Sequence, residues 1–177
     1  MASLPATGHR VSLRRLREED LPNFQSYRLD PVVGRYQGWA ATSDDEARAF
    51  LIAMSTSPAF PAGEWFQLAI AERQSDTLIG DIGVCVAGDG AEAEIGFTLS
   101  RPFQGKGLAR EAVQLALMVV FLSTEVNRVF AITDARNIAA NNLLHALGLT
   151  RVESKAAIFR NEACIEYTYA IARHSGA

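Results

Sequence analysis

The residues best placed to do chemistry sit in and around one short segment. Gln104-Gly105-Lys106-Gly107-Leu108-Ala109 sets two glycines one residue apart, immediately before a long apolar run. Without a Cβ, Gly105 and Gly107 let the backbone turn tightly and aim its N–H groups at an anion. The run over 108–122 has helical character, so its first N–H groups are unpaired and the positive end of its dipole lies at the same place. A strand over 92–99 precedes the segment. Strand, glycine turn and helix N-terminus together predict a phosphate cradle, although a glycine turn leading into a core helix would read the same way. In the strand itself Glu92, Glu94, Gly96 and Thr98 share one side, which brings two carboxylates toward whatever lies beside the cradle.

Other phosphate and metal motifs do not fit. A P-loop needs Gly, four residues, then Gly-Lys and Ser or Thr. Here Ser100 stands at the first position and Gly107 at the last. A dinucleotide fingerprint needs a further glycine where Arg110 stands. His145 lies between apolar helix neighbours, His9 and His174 lie near the ends of the chain, and no His/Cys/carboxylate group has metal-ligand spacing, so no metal is expected.

The bulk properties bound the rest. The chain has 177 residues, 49% hydrophobic and 21% charged, which suits a single domain over 1–177 with a full core. The net charge of −3 and the lack of a basic run give no nucleic-acid signal. Arg10, Arg14, Arg15 and Arg17, followed by Glu18, Glu19 and Asp20, read as a solvated surface with local ion pairs. Cys85 and Cys164 sit in apolar strand-like runs and read as small buried residues in a reduced compartment. The longest apolar run, 112–122, is too short to span a bilayer, and no signal peptide is evident, so a cytoplasmic protein without membrane attachment is expected.

The elements that must position the cradle follow in order. Residues 11–14 alternate as a first strand. A helix over 20–29 tolerates Pro22 in its first turn and stops at Asp30-Pro31. Tyr36 and Trp39 flank Gly38 in an aromatic loop. Ser43 and Glu46 have capping-box spacing for a helix reaching 54. Strands at 65–71, 78–86 and 92–99 form a meander, in which Gly80 and Gly83 suggest a bulge or a close backbone approach. After the long helix come a strand at 128–133, a helix from Asn137 stopped by Gly148, and two last strands at 150–157 and 164–171 around a turn at Asn161. The expected fold class is α/β (α+β): a mixed, mostly antiparallel central sheet of about seven strands with helices on both faces.

Four segments in this order resemble the GNAT N-acetyltransferases, with the nearest likeness to the ribosomal-protein alanine N-acetyltransferase branch. The opening strand and helix start over 13–20, Ala93-Glu94-Ile95-Gly96-Phe97, the pattern Gln104-x-x-Gly107-x-Ala109, and the spacing of Asn137, Ala140, Leu147 and Gly148 look like that family's motifs. The resemblance implies acetyl-CoA as cosubstrate, with the pyrophosphate at Gln104, Gly105, Lys106, Gly107, Leu108, Ala109 and Arg110, and the pantetheine arm along Phe97, Thr98 and Leu99 where that strand should splay from its neighbour. It implies a cofactor contact for Asn137, which also reads as a helix cap, and makes Asn142 a second candidate. It puts Glu94 at the position of a general base for an amine acceptor, or of a carboxylate that holds an arginine or a backbone N–H. Tyr36 and Trp39 would wall the acceptor pocket, or pack as core aromatics. Two positions depart from the pattern: the usual Ser is Ala140, and the usual acid tyrosine aligns with Leu144. The alternative to an acetyltransferase is therefore a non-catalytic acyl-CoA-binding protein of the same fold, a sensor or assembly module. The terminal strands and exposed helix edges of this fold predict a homodimer.

Overall fold

Hydrophobic alternation and turn chemistry divide the chain as the sequence suggests, with one small addition. The computed structural model describes residues 4–173. In chain order these form β1 (Ala6–Thr7), β2 (Val11–Arg15), α1 (Leu21–Arg28), α2 (Asp44–Thr56), β3 (Trp65–Glu72), β4 (Leu78–Val86) and β5 (Glu92–Leu99). Then come α3 (Leu108–Ser123), β6 (Arg128–Asp134), α4 (Ile138–Ala146), β7 (Thr150–Phe159) and β8 (Glu162–Ala172). The sheet has eight strands in the order β1-β2-β3-β4-β5-β6-β8-β7. The strand beyond the expected seven is β1, whose two residues pair with Leu13 and Ser12 and are too few to show any period. Only β5 and β6 are parallel, because α3 carries the chain across between them.

Both faces of the sheet are covered, by different helices. One core joins the β2–β5 residues Leu13, Leu68, Ile82 and Ile95 to Ala112, Ala116 and Val120 of α3, and includes Leu144 of α4. The second, smaller core joins Leu16, Ala69 and Leu78 to Phe24 and Tyr27 of α1 and Leu51 of α2. The α2 capping box forms as its spacing predicts, with Ser43 accepting from the Glu46 N–H and Glu46 accepting from the Ser43 N–H. Gly148 ends the α4 segment at φ 84°. Gly80 marks a close approach, since a Cβ there would collide with the Thr98 carbonyl oxygen.

The arginine-rich opening differs from the solvated surface expected of it. Arg14 is 4% exposed and Asp20 6%. Arg14 donates to both Asp20 oxygens at 2.8 Å, and its Nε donates to Asp76 at 2.8 Å. Asp20 also accepts from the Arg17 N–H, which turns residues Glu18–Asp20 into a 3-10 turn and delays α1 by one residue. A charge run read from composition cannot show that its central members point inward. Farther along, α1 is pinned to β4 by a buried cluster: the Tyr27 hydroxyl and Arg28 Nη2 both donate to Asp81, at 2.6 and 2.8 Å. The Arg28 guanidinium lies between the Phe24 and Trp39 rings, 4.7 and 4.6 Å from their centroids. Cys164 is buried and Cys85 half-buried, and both are free thiols. No described helix is long and apolar enough to cross a membrane.

Candidate active site

β5 and β6 pair over only three residues, ending at Glu94 and Phe130, and then part. On its other side β5 stays bonded to β4, and the Ser100 N–H donates to the Ile79 carbonyl beyond the strand end. Backbone direction alternates along a strand, so the groups of Phe97 and Leu99 face the gap. Two side-chain amides already reach them: Gln37 Nε2 donates to Phe97 O at 3.1 Å and Gln104 Nε2 to Leu99 O at 2.8 Å. The parting strands open a cavity of about 460 Å³ that reaches both faces of the sheet. Leu99 and Leu108 line it on the α3 side, and Gly96, Thr98 and Ile132 on the other.

The glycine segment closes one end. After a 3-10 turn at Arg101–Phe103, Gly105 and Gly107 take φ of 72° and 76°, a left-handed conformation that L-residues adopt only at a cost. Gly107 is the residue from which α3 starts. Arg10 braces this turn from the β1–β2 connection: its Nη1 donates to Lys106 O at 2.8 Å and its Nε to Glu111 at 3.0 Å. Burial acts to raise the Glu111 carboxyl, but N–H groups of Arg10 and Val11 outweigh it and hold the group below the usual carboxylate range. Gln104, Gly105, Gly107, Leu108, Ala109 and Arg110 all line the cavity, as do Phe97, Thr98 and Leu99. Lys106 does not; its ammonium lies 5.8 Å from the Phe103 ring centroid.

The far wall comes from β6 and the start of α4. Asn137 caps α4 by accepting from the Ala140 N–H at 3.2 Å, and it also lines the cavity. Asn142 is exposed and lies outside the lining, whereas its neighbour Asn141 is buried and bonds Thr133 and the Asp134 and Ala135 carbonyls. Asp134 lines the cavity with its charge taken up by Arg136, which donates from N, Nε and Nη2 at 2.7 to 2.9 Å and holds the carboxyl below its usual range. The third wall is the loop after α1, with Val33, Tyr36 and Gln37. Trp39 stands back from the lining, its indole 3.5 Å from the Thr98 hydroxyl. Gln37, Thr133 and Asp134 escaped the sequence reading. Gln37 sits in a coil with no period, and the end of β6 reaches the site only because the strands part.

Glu94 stands at the vertex of the gap, beside the cavity rather than in its lining. It shares the face of Gly96 and Thr98, as the alternation predicts. Among the described residues its carboxylate has no hydrogen bond or ion pair. The role of a carboxylate holding an arginine belongs instead to Glu92, which binds Arg128 at 2.7 Å. Burial, and then the charge of Glu166, push the Glu94 carboxyl above the usual range. Leu144 is fully buried in the core, and Ala140, which lines the cavity, has no ionisable side chain, so neither position brings a proton donor to it. The described residues contain no cluster of His, Cys, Asp and Glu that would hold a metal. His174 lies outside the described residues.

Comparison with known proteins agrees with this geometry. The sequence matches the acetyltransferase (GNAT) domain over residues 10–150. The chain belongs to the GNAT acetyltransferase family. It is an acyltransferase by that membership, and it is 31% identical over 153 residues to the uncharacterized N-acetyltransferase p20 of Bacillus licheniformis, covering 83% of this chain and 85% of that protein. Among solved structures, a GNAT acetyltransferase from Bacillus anthracis superposes with a TM-score of 0.83 at 21% identity, over 96% of this chain and 98% of that one. A ribosomal L7/L12 alpha-N-protein acetyltransferase solved in complex with coenzyme A superposes with a TM-score of 0.80 at 16% identity, over 96% and 98%. At these identities the solved structures show the shared fold.

Proposed function

We propose that this GNAT protein transfers an acetyl group from acetyl-CoA to a primary amine, either a protein N-terminus or a small-molecule amine. The observation that carries the reading is the gap between β5 and β6, which runs through the sheet and ends at the left-handed Gly105 and Gly107 and the start of α3. Those N–H groups and the α3 dipole suit a pyrophosphate. The gap-facing backbone of Phe97 and Leu99 suits the amides of a pantetheine arm. The solved relative that holds coenzyme A supports the same cosubstrate here.

The donor enters from the α3 face and the acceptor from the α1/α2 face, so the thioester and the amine meet within the gap. Holding them together supplies much of the rate. The amine nitrogen attacks the thioester carbon, a C–N bond forms, the C–S bond breaks, the nitrogen gives up a proton and the thiolate takes one. Glu94 faces the acceptor side and has no competing partner, so it receives the amine proton directly or through a water. Its raised proton affinity brings it nearer to that task than an ordinary carboxylate. No side chain on α4 supplies the acid. That gap in the machinery favours a second reading, an acyl-CoA-binding protein without turnover.

The reading includes a cytoplasmic setting, in keeping with two free thiols, and a homodimer, because β7 is an edge strand exposed along most of its length. Light scattering at micromolar concentration checks the dimer, and a monomer counts against it. Turnover decides between the two functional readings. The protein is assayed with acetyl-CoA and succinyl-CoA against a panel of N-terminal peptides, polyamines, aminoglycosides and amino acids. Acetylation of an amine supports the proposal, and tight CoA binding with no product on any amine supports the second reading.

A further inference from the structure

The loop between α1 and α2 walls the cavity but has little structure of its own. A 3-10 turn, Val33–Tyr36, ends at Gln37, and irregular chain follows as far as Ser43. Two of its carbonyls, those of Gln37 and Trp39, accept hydrogen bonds from a single nitrogen, Arg160 Nη2, at 3.0 and 3.1 Å. Arg160 sits at the tip of the β7–β8 hairpin, 123 residues from Gln37 in sequence. Through its side chain Gln37 then reaches Phe97 O on the open edge of β5. Hairpin, loop and β5 are thus joined in series. A second link runs beside the first: Arg136 reaches Glu162 of the hairpin at 3.4 Å and lies 5.9 Å from the Tyr36 ring centroid.

The backbone at the hairpin tip is an independent sign that the Arg160 side chain matters. Arg160 and Asn161 have φ of 49° and 64°, the two left-handed positions of a tight hairpin turn. Asn and Gly take such positions most easily, and Asn161 conforms. Arginine has no local hydrogen bond to offset the strain, and strain of this kind persists where the surroundings use the side chain.

We propose that Arg160 is a positioning residue that sets acceptor specificity, strapping the α1–α2 loop so that Tyr36 and Gln37 stay against the cavity. This rests on the acetyl-transfer reading. The loop arrives from the α1/α2 face, whereas the glycine turn that would hold the donor's pyrophosphate arrives from the α3 face. The strap therefore controls the acceptor entrance and lies away from the glycine turn, touching the donor side only where Gln37 meets Phe97 O.

The test is steady-state kinetics of Arg160→Gly, with donor and acceptor varied separately against the best amine for the wild type. Glycine removes the two hydrogen bonds and also relieves the left-handed backbone. The acceptor KM should rise about three- to tenfold, the worth of one or two exposed hydrogen bonds, while acetyl-CoA affinity changes by less than that and the melting temperature holds or rises. Arg160→Lys keeps a cation without the forked donor and should recover part of the loss. A purely structural arginine would give a lower melting temperature and an unchanged acceptor KM, which overturns the proposal. A readout independent of turnover uses Trp65→Phe, which leaves Trp39 as the single tryptophan. In that background Arg160→Gly should raise acrylamide quenching of Trp39, and unchanged quenching refutes the strap itself. Absence of any acetylated amine with the wild type overturns the functional reading and the specificity role together, with the quenching result reporting the strap separately.

Discussion

Replacing Glu94 by Gln changes one atom at the vertex of the β5–β6 gap, and the structure gives its consequences a sign. Burial first and Glu166 second hold the Glu94 carboxyl above its usual range, so the folded protein disfavours the charged form. A raised carboxyl contributes stability that is fully present below its unfolded pKa, near about 4.3, and is lost as pH rises through the folded value. Glu94→Gln should therefore be more stable than wild type at neutral pH, with the difference vanishing in acid, where both side chains are neutral. The rate should move the other way. Loss of a general base costs about 100- to 10,000-fold, whereas a site that only positions an already neutral amine should lose less than about tenfold. With the acid position filled by the buried Leu144, the expected loss lies at the lower end of the first range. The wild-type kcat/KM should fall as pH drops through an apparent pKa above the ordinary carboxylate range, and that limb should flatten in Glu94→Gln. Removing the second charge, by Glu166→Gln, should shift the limb to lower pH. Thermal unfolding across pH and initial rates with saturating acetyl-CoA measure both effects. A Glu94→Gln protein that folds, binds CoA and keeps its full rate at neutral pH refutes the assignment.

Two further predictions concern buried charge. Arg14→Met strands Asp20 and should cost about 3–5 kcal/mol, a fall of roughly 6–20 °C in melting temperature, because breaking a buried pair leaves an uncompensated ion. A change of under about 1 kcal/mol, the worth of an exposed pair, would contradict the buried reading. Arg136→Met should remove the two side-chain hydrogen bonds that do most to hold the Asp134 carboxyl low, leaving the backbone N–H bond of residue 136 in place. That depressed carboxyl contributes stability above its unfolded pKa and loses it as pH falls through the folded value, so wild type and variant should differ most at neutral pH and converge in acid. Parallel stability curves across that range would show the pair to be energetically silent.

Much of this arrangement was legible in the chain because local rules agree with the global fold. Ser43 and Glu46 announce a capping box, Gly148 a helix stop, and the alternation of 92–99 a strand whose carboxylates share one side. Gly105 and Gly107 identify a turn that only left-handed backbone can make. What could not be read depends on approach in three dimensions. The burial of Arg14 follows from Asp20 and Asp76 closing around it from separate turns. Gln37 and Asp134 enter the site because β5 and β6 part after Glu94, and no residue in either strand signals where pairing ends. Asn142 and Asn141 are neighbours on one helix, and only the packing of α4 decides that Asn141 turns inward. Lys106 looks like a phosphate ligand in sequence, yet its carbonyl serves Arg10 and its ammonium rests near Phe103.

The most direct test of the central claim is calorimetric titration of acetyl-CoA into the wild type and into Gly107→Asp. At φ 76° the aspartate costs about 1–2 kcal/mol of backbone strain, a small part of the roughly 5–15 kcal/mol that keeps a domain folded. Its Cβ would stand 3.3 Å from Arg10 Nη2, which can swing aside at the surface. The variant should fold while its carboxylate stands where the pyrophosphate would bind. The wild type should bind acetyl-CoA and folded Gly107→Asp should not. A folded Gly107→Asp protein with wild-type affinity would contradict the assignment of the donor site.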